Sequence, residues 1–243
     1  MVIKNLVISG CGPLALRYLG CIKHLMQNNY FSINDIEKIY CTSAGIIIAI
    51  SIILGYSFET LEEYYVKRPW NEVYKVGAKQ ILGLYNSKGL FGKKEIEQSL
   101  NPLLKGKNLN PDINLKELYE ITKVKLIVNS VSMNKHKKIK NEYFDHISHP
   151  ELKLCDIIQM TCTIPFLVEP LIHNNNFYLD GGLLINYNSK ICLDENINSE
   201  CLGFNFCMEY EINNETSNET SNETSNDNNK SETNLNNSDT SLL

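Results

Sequence analysis

Two strand–turn–helix units near the start of the chain constrain the fold more than any other feature. The apolar run "NLVIS" (5–9) predicts a buried strand, the glycines after it predict a turn, and Pro13 can begin the helix that follows. "KIYC" (38–41) predicts a second strand, "TSAG" a second turn, and "IIIAISIIL" a helix that is apolar on every side. Strands that alternate with helices pair in parallel. The sequence therefore predicts an α/β fold with a central, mostly parallel sheet flanked by helices.

Later segments extend this pattern. Helices are predicted over residues 58–68, 92–104 and 114–121, and within "CDIIQMTCTI" before Pro165. Strands are predicted within 123–134, ahead of the basic turn "KHKKIK", within "NNFYLDGGLL", and over "CLGFNFCMEY" (201–210). Both halves of the chain therefore contribute strands to the predicted sheet.

The end of the chain has a different composition. Residues 213–243 contain Asn-Glu-Thr-Ser three times and almost no apolar side chains. Such a segment cannot bury enough surface to offset its conformational entropy. The sequence thus predicts one folded domain over residues 1–212 and a disordered low-complexity tail over 213–243.

The charge follows this division. The whole chain has a net charge of −5, and the predicted tail accounts for it with six acidic residues and one lysine. The predicted domain is therefore neutral, which gives no basis for nucleic acid binding. None of the eight cysteines forms a CxxC pair, and most lie in apolar stretches, which favours reduced, buried thiols over disulfides or a zinc site.

Targeting signals are also not evident. The first residues lack the continuous apolar core of a signal peptide, and the longest apolar run (44–56) is too short to span a bilayer. We therefore expect an intracellular protein without a transmembrane segment, either soluble or bound peripherally to a membrane.

The first glycine turn allows two interpretations. "GCGPLA" fits the G-x-G-x-x-G/A pattern of dinucleotide sites, but the same turn can present N–H groups to an oxyanion. A dinucleotide site needs an acidic residue at the end of the second strand, and this strand ends in Tyr40-Cys41. We therefore expect Gly10, Cys11 and Gly12 to hold an oxyanion.

The second turn, "CTSAG", approximates the G-x-S-x-G nucleophile elbow. Ser43 lies between a strand and a helix whose N-terminus favours negative charge, and Gly45 allows the two elements to pack closely. In the alternative interpretation Ser43 is an ordinary helix N-cap. A triad completed by His173 is disfavoured, because the 42 residues before Ser43 hold fewer strands than an α/β-hydrolase requires.

A third turn, Asp180-Gly181-Gly182, follows a later predicted strand. A carboxylate at the end of a strand lies where α/β sheets bind their ligands, although Asp-Gly turns are common in all proteins. Three turns with donor or reactive groups at comparable strand ends favour one shared site.

The three turns together resemble the patatin-like phospholipase family, and the resemblance extends from Leu6 to Phe206. "TCTIPFLVEP" is similar to the family's loop before the catalytic aspartate, and "DGGLLINYN" to its Asp-Gly-Gly with a following Asn. The resemblance implies a Ser43–Asp180 catalytic dyad and an oxyanion hole of Gly10, Cys11 and Gly12. The supporting residues that it implies around the elbow and the dyad are Cys41, Thr42, Ala44, Gly45, Gly181 and Gly182.

The function that this resemblance implies is hydrolysis of carboxylic esters in phospholipids or other acyl lipids through an acyl-enzyme, without a metal or cofactor. The substrate would be met in solution or at a membrane surface. Cys11, Ala15 and Cys41 replace glycines of the family pattern, and Leu14 replaces an arginine. The alternative is therefore a catalytically weak pseudo-lipase that binds lipid or a partner.

Overall fold

The computed structural model describes residues 2–196 and 200–206. The predicted tail and the end of the predicted last strand (207–210) lie outside these residues. The strands are β1 (Ile3–Ile8), β2 (Lys38–Thr42), β3 (Gly89–Phe91), β4 (Lys125–Met133), β5 (Ile139–Phe144), β6 (Phe166–Val168), β7 (Ile172–His173), β8 (Asn176–Asp180) and β9 (Glu200–Phe204). The α-helices are α1 (Leu16–Gln27), α2 (Gly45–Ile53), α3 (Phe58–Lys67), α4 (Trp70–Val73), α5 (Ala78–Ser87), α6 (Lys93–Lys105), α7 (Leu115–Thr122), α8 (Leu154–Cys162) and α9 (Ser189–Glu195).

Seven of these strands form the central sheet. Its strand order is β7-β8-β4-β2-β1-β9, and β5 also pairs with β4. The neighbours β4, β2, β1 and β9 are parallel, whereas β5 and β8 run antiparallel to β4. The remaining strands, β3 and β6, form a separate parallel pair. The predicted α/β fold with a central sheet is confirmed. The sheet is mixed: the strands from both halves of the chain pair in parallel at its centre, and antiparallel strands are added at β4.

The register along β4 positions the site. β2 pairs with the first part of β4 as far as Thr42 opposite Asn129. β8 pairs with the second part and ends with Asp180 opposite Ser130. Because β5 occupies the other edge of β4 over the same residues, β2 and β8 share one edge. Their C-terminal ends therefore meet at consecutive positions of β4.

The core lies on both faces of the sheet. Alternate residues of the parallel strands, such as Leu6, Ile39 and Val128, pack into a large cluster with α1, α2 and α8. The intervening residues, such as Val7 and Tyr40, pack against Cys192 of α9 on the other face. The helix α2 is buried on almost all sides, which confirms its predicted central position.

The helices predicted from residue 58, 92 and 114 are confirmed within one residue at each end. α4, α5 and β3 were not predicted. Ile81, Leu82 and Tyr85 of α5 are exposed to solvent and Leu84 is half-buried, so most of the apolar side chains of this helix do not pack in the core.

Candidate active site

The turn between β2 and α2 has the strained geometry of a nucleophile elbow. Ser43 has a φ of +49°, in the left-handed region that costs a residue with a side chain about 1–2 kcal/mol. Its N–H donates to Thr161 Oγ1 at 2.8 Å, which helps to hold this conformation. A Cβ on Gly45 would lie 2.6 Å from the carbonyl oxygen of Ile8, so only glycine lets α2 approach β1 this closely.

The side chains of Ser43 and Asp180 are in direct contact. Ser43 Oγ donates a hydrogen bond of 2.5 Å to Asp180 Oδ2, across 137 residues of sequence. The second carboxylate oxygen, Oδ1, accepts the N–H of Gly182 at 2.7 Å, within the short turn that Gly181 begins. Both side chains are buried, with Ser43 only 7% and Asp180 only 5% exposed.

Burial changes the acidity of the groups in this site. It raises the pKa of the Asp180 carboxyl above its ordinary value, and the hydrogen bonds from Ser43 and Gly182 lower it in part. The thiol of Cys162 lies beside the same pair. Burial and then the negative charge of Asp180 raise the pKa of that thiol well above its usual range, so it is neutral.

The glycine loop after β1 lies against the elbow. A Cβ on Gly10 would lie 2.6 Å from the Cβ of Ser43, so glycine is required at this close approach. Asn186 bridges the loop from the other side, accepting the Gly10 N–H at 3.1 Å and donating to the Gly10 carbonyl at 2.9 Å. Among the described residues, the N–H groups of Cys11 and Gly12 have no acceptor.

This contact concerns one of the expected oxyanion donors. The sequence predicts Gly10, Cys11 and Gly12 as oxyanion donors, and the Gly10 N–H is donated to Asn186 in the structure. Of these three groups, the N–H groups of Cys11 and Gly12 carry no hydrogen bond to a described residue. Cys11 retains its backbone N–H although it replaces a glycine, and its half-buried thiol points toward Tyr18.

A buried polar network supports the elbow from below. Thr42 Oγ1 donates to Asn129 Oδ1 at 2.5 Å and accepts from Asn188 Nδ2 at 2.7 Å. Thr161, which holds the Ser43 N–H, donates its own hydroxyl to the Asn129 carbonyl at 2.7 Å. Sequence reasoning missed Asn129 and Thr161. The sequence did indicate the other side of this network, because the motif "DGGLLINYN" contains Asn186 and Asn188, which contact Gly10 and Thr42.

An apolar cavity of about 420 Å³ opens beside the loop and the elbow. Gly12, Ala44 and Cys162 line the end next to Ser43, although Ser43 itself does not line it. The other walls are formed by apolar side chains and by the aromatic group Tyr65, Trp70, Tyr74 and Phe91. The volume and lining are those of a site for a small apolar ligand or one chain of a lipid.

The remaining predicted site residues have structural positions around this centre. Cys41 is fully buried in the core beneath the elbow, where its Sγ lies 3.7 Å from the Ile127 carbonyl oxygen. The alternative of an ordinary N-cap serine is not supported, because the Ser43 hydroxyl donates to Asp180 and no side chain caps the N-terminus of α2. His173 lies at the far end of β8 from Asp180, and no described histidine contacts Ser43 Oγ.

Two further observations concern ligands and membranes. Nowhere in residues 2–196 and 200–206 do three His, Cys, Asp or Glu side chains converge as ligands for a metal ion. In the same part of the chain, each helix falls short of the length and apolar character that a bilayer crossing needs.

Known proteins resemble this chain in sequence and in fold. A probable lipid hydrolase of Invertebrate iridescent virus 6 is 26% identical over 192 residues, which cover 78% of this chain and 63% of the viral protein. An uncharacterized protein of Acanthamoeba polyphaga mimivirus is 23% identical over 185 residues, covering 76% and 60%. The chain thus spans 60–63% of the length of these relatives.

The structure of VipD from Legionella pneumophila shares the fold. It superposes with a TM-score of 0.58 at 15% identity, over 84% of this chain and 50% of VipD. The model of the patatin-like phospholipase family matches residues 6–193, which include all three turns and most of the chain. The chain belongs to the patatin-like phospholipase family.

Proposed function

We propose that the protein hydrolyses carboxylic esters of phospholipids or other acyl lipids, with Ser43 as nucleophile and Asp180 as general base. The observation that carries this proposal is the 2.5 Å hydrogen bond from Ser43 Oγ to Asp180 Oδ2 beside an apolar cavity. Family membership and the lipid hydrolase name of a viral relative support the same substrate class.

The reaction begins at the hydroxyl of Ser43. As Oγ attacks the ester carbonyl carbon, Asp180 Oδ2 accepts the hydroxyl proton and the carbonyl π electrons move to oxygen. The resulting tetrahedral oxyanion is held by the N–H groups of Cys11 and Gly12, and the N-terminus of α2 adds positive potential. Collapse expels the alcohol, which takes the proton from Asp180, and leaves an acyl group on Ser43.

The second half of the reaction reverses these roles with water. Asp180 accepts a proton from water as the water oxygen attacks the acyl carbon, and the proton returns to Ser43 Oγ when the ester bond breaks. A carboxylate is a weak base for an alcohol, because its ordinary pKa is about 3.9. The raised pKa of the buried Asp180 reduces this mismatch, and each oxyanion donor contributes about 3 kcal/mol.

The cavity accounts for an apolar acyl chain in this reaction. Gly12 and Ala44 belong both to its lining and to the loop and elbow that surround Ser43. An acyl chain in the cavity would therefore bring its ester to the oxyanion donors. Each methylene removed from water there contributes about 0.8 kcal/mol to binding.

The proposal is tested by release of fatty acid from phospholipid in detergent micelles, with chelator present and mass spectrometry as the readout. We expect the wild type to release fatty acid and Ser43→Ala to release none above background. Ser189→Ala, a half-buried serine at the start of α9, is the matched control and should keep wild-type activity. A folded wild type that binds the micelles without turnover would favour the alternative of a lipid-binding pseudo-lipase.

A further inference from the structure

Helix α5 exposes an apolar stripe to solvent. Its residues Ala78, Ile81, Leu82 and Tyr85 recur at the i, i+3, i+4, i+7 spacing of a helix face that packs against an apolar phase. We call these four residues the α5 stripe. Ile81 is 59%, Leu82 82% and Tyr85 84% exposed, while the opposite side of the helix is partly buried against the domain. The stripe is therefore turned away from the core.

The segment around the stripe is strongly basic. Residues 75–94 contain five lysines and neither aspartate nor glutamate, and of these lysines Lys93 forms an ion pair with Asp156 at 2.6 Å. Lys75 precedes the helix and Lys88 follows it, and both side chains are exposed. The Lys88 ammonium lies 5.1 Å from the centroid of the Tyr85 ring, so a positive charge adjoins the apolar surface directly.

The chain connects this surface to the cavity. α5 leads into β3, which pairs with β6 through Gly89–Phe166 and Phe91–Val168. Phe91 and Val168 line the cavity, whereas Phe166 at the other end of β6 is 69% exposed. One small sheet thus joins the helix that carries the stripe to the cavity wall.

We propose that α5 docks the protein on an anionic lipid surface. The stripe would lie at the boundary of headgroups and acyl chains, and the flanking lysines would contact anionic headgroups. A second copy of the chain fits the surface less well, because a two-fold contact would place the same lysines against each other. Docking itself is independent of the proposed function. The further step, in which docking brings lipid to the cavity, rests on that function.

Docking is measured by sedimentation of the full chain with vesicles. The chain carries Ser43→Ala so that no lipid is consumed. The vesicles consist of phosphatidylcholine, with or without phosphatidylserine. We expect binding to the vesicles that contain phosphatidylserine and weaker binding as salt is raised. Leu82→Ser combined with Tyr85→Ser should lower the partition coefficient at least about tenfold. Lys75→Gln combined with Lys88→Gln should lower it about tenfold or more.

Two controls match these changes elsewhere. Ile147→Ser alters an apolar residue that is 70% exposed and lies two residues after Asp145. Asp145 pairs with Lys125 at the start of β4, the end of that strand away from Asn129 and Ser130. Lys135→Gln with Lys138→Gln alters the exposed basic turn between β4 and β5. Both should bind like the parent. Loss of binding in the basic-turn variant, with the α5 variants unaffected, would overturn the proposal.

Three other results would contradict docking through α5. They are no binding of the parent to anionic vesicles, equal binding to vesicles without phosphatidylserine, and a parent dimer that the stripe variant converts to monomer. Hydrolysis of a short, soluble ester by chains with Ser43 intact tests catalysis separately. The stripe variant should hydrolyse the soluble ester at the wild-type rate. Absence of hydrolysis in both chains would reject the proposed function, and docking would still be decided by the vesicle assay.

Discussion

At the scale of single residues, Ser43 combines a left-handed backbone with a hydroxyl that donates to a buried carboxylate. Strain of this kind persists where surrounding contacts fix it, and here Thr161 does so. The residues that depart from the family's glycines do not disturb this arrangement. Cys41 fills core volume, Ala15 is buried in the cavity wall, and Cys11 keeps its N–H.

Replacing Asp180 separates catalysis from stability. Asp180→Asn removes the proposed base, so kcat for ester hydrolysis should fall by about 10²–10⁴. The folded pKa of Asp180 lies above the unfolded one, so ionisation costs stability as pH rises through the folded pKa. At neutral pH the variant should therefore melt at the same temperature as wild type or higher. Full activity in a folded Asp180→Asn chain would show that another group is the base.

The pH profile tests the same carboxyl without substitution. Only the ionised form can accept the Ser43 proton, so kcat/KM for a soluble ester should fall as pH is lowered. Because burial raises the pKa of Asp180, the midpoint should lie above the ordinary value of about 3.9. Circular dichroism at each pH separates titration from unfolding. A profile that is flat down to pH values below the ordinary one, in folded protein, contradicts a role for Asp180 as base.

At the scale of elements, β4 and the segment after β8 bring the three turns together. β4 places the ends of β2 and β8 at consecutive positions, and Asn186 joins the segment after β8 to the glycine loop. The proposed oxyanion donors therefore depend on a residue that does not itself face the cavity.

Asn186→Ala should lower kcat about 10–100-fold with little change in KM, because a small displacement of Cys11 and Gly12 weakens transition-state contacts more than substrate binding. Steady-state kinetics with a soluble ester measures both constants. Asn86→Ala, at an exposed position of α5, is the control and should leave kcat and KM unchanged. A rise in KM alone would place Asn186 in substrate binding instead.

Sequence patterns predicted the three turns because each has a local cause: glycines, a serine between strand and helix, and an aspartate at a strand end. They did not predict the pairing of Asp180 opposite Ser130, since the register of β8 on β4 depends on contacts 50 residues apart in sequence. Nor did they predict that Gly10 donates to Asn186, across 176 residues.

At the scale of the whole molecule, one set of packed elements from Ile3 to Phe204 contains the entire site. β9 closes one edge of the sheet by pairing with β1, and Ser9 at the end of β1 donates its N–H to the Phe204 carbonyl. The family match ends at residue 193, so β9, which supports β1 and the loop after it, lies beyond the matched residues.

Truncation distinguishes the predicted tail from this framework. A chain of residues 1–212 should keep the melting temperature and the ester hydrolysis of the full chain, because the tail 213–243 has almost no apolar side chains to bury. A chain that stops at residue 199 loses β9 and should be strongly destabilised. Thermal melts and a soluble ester assay compare all three. A large loss of stability in the 1–212 chain would show that the tail packs on the domain.

Covalent labelling with a fluorophosphonate, mapped by peptide mass spectrometry, tests the central proposal most directly. The reagent phosphonylates a serine only where a base and an oxyanion site activate it. We predict a single adduct on Ser43 in the wild type, slower labelling in Asp180→Asn, and none in Ser43→Ala. An adduct on a different residue of the active protein, or hydrolysis that continues without any adduct, would contradict Ser43 as the nucleophile.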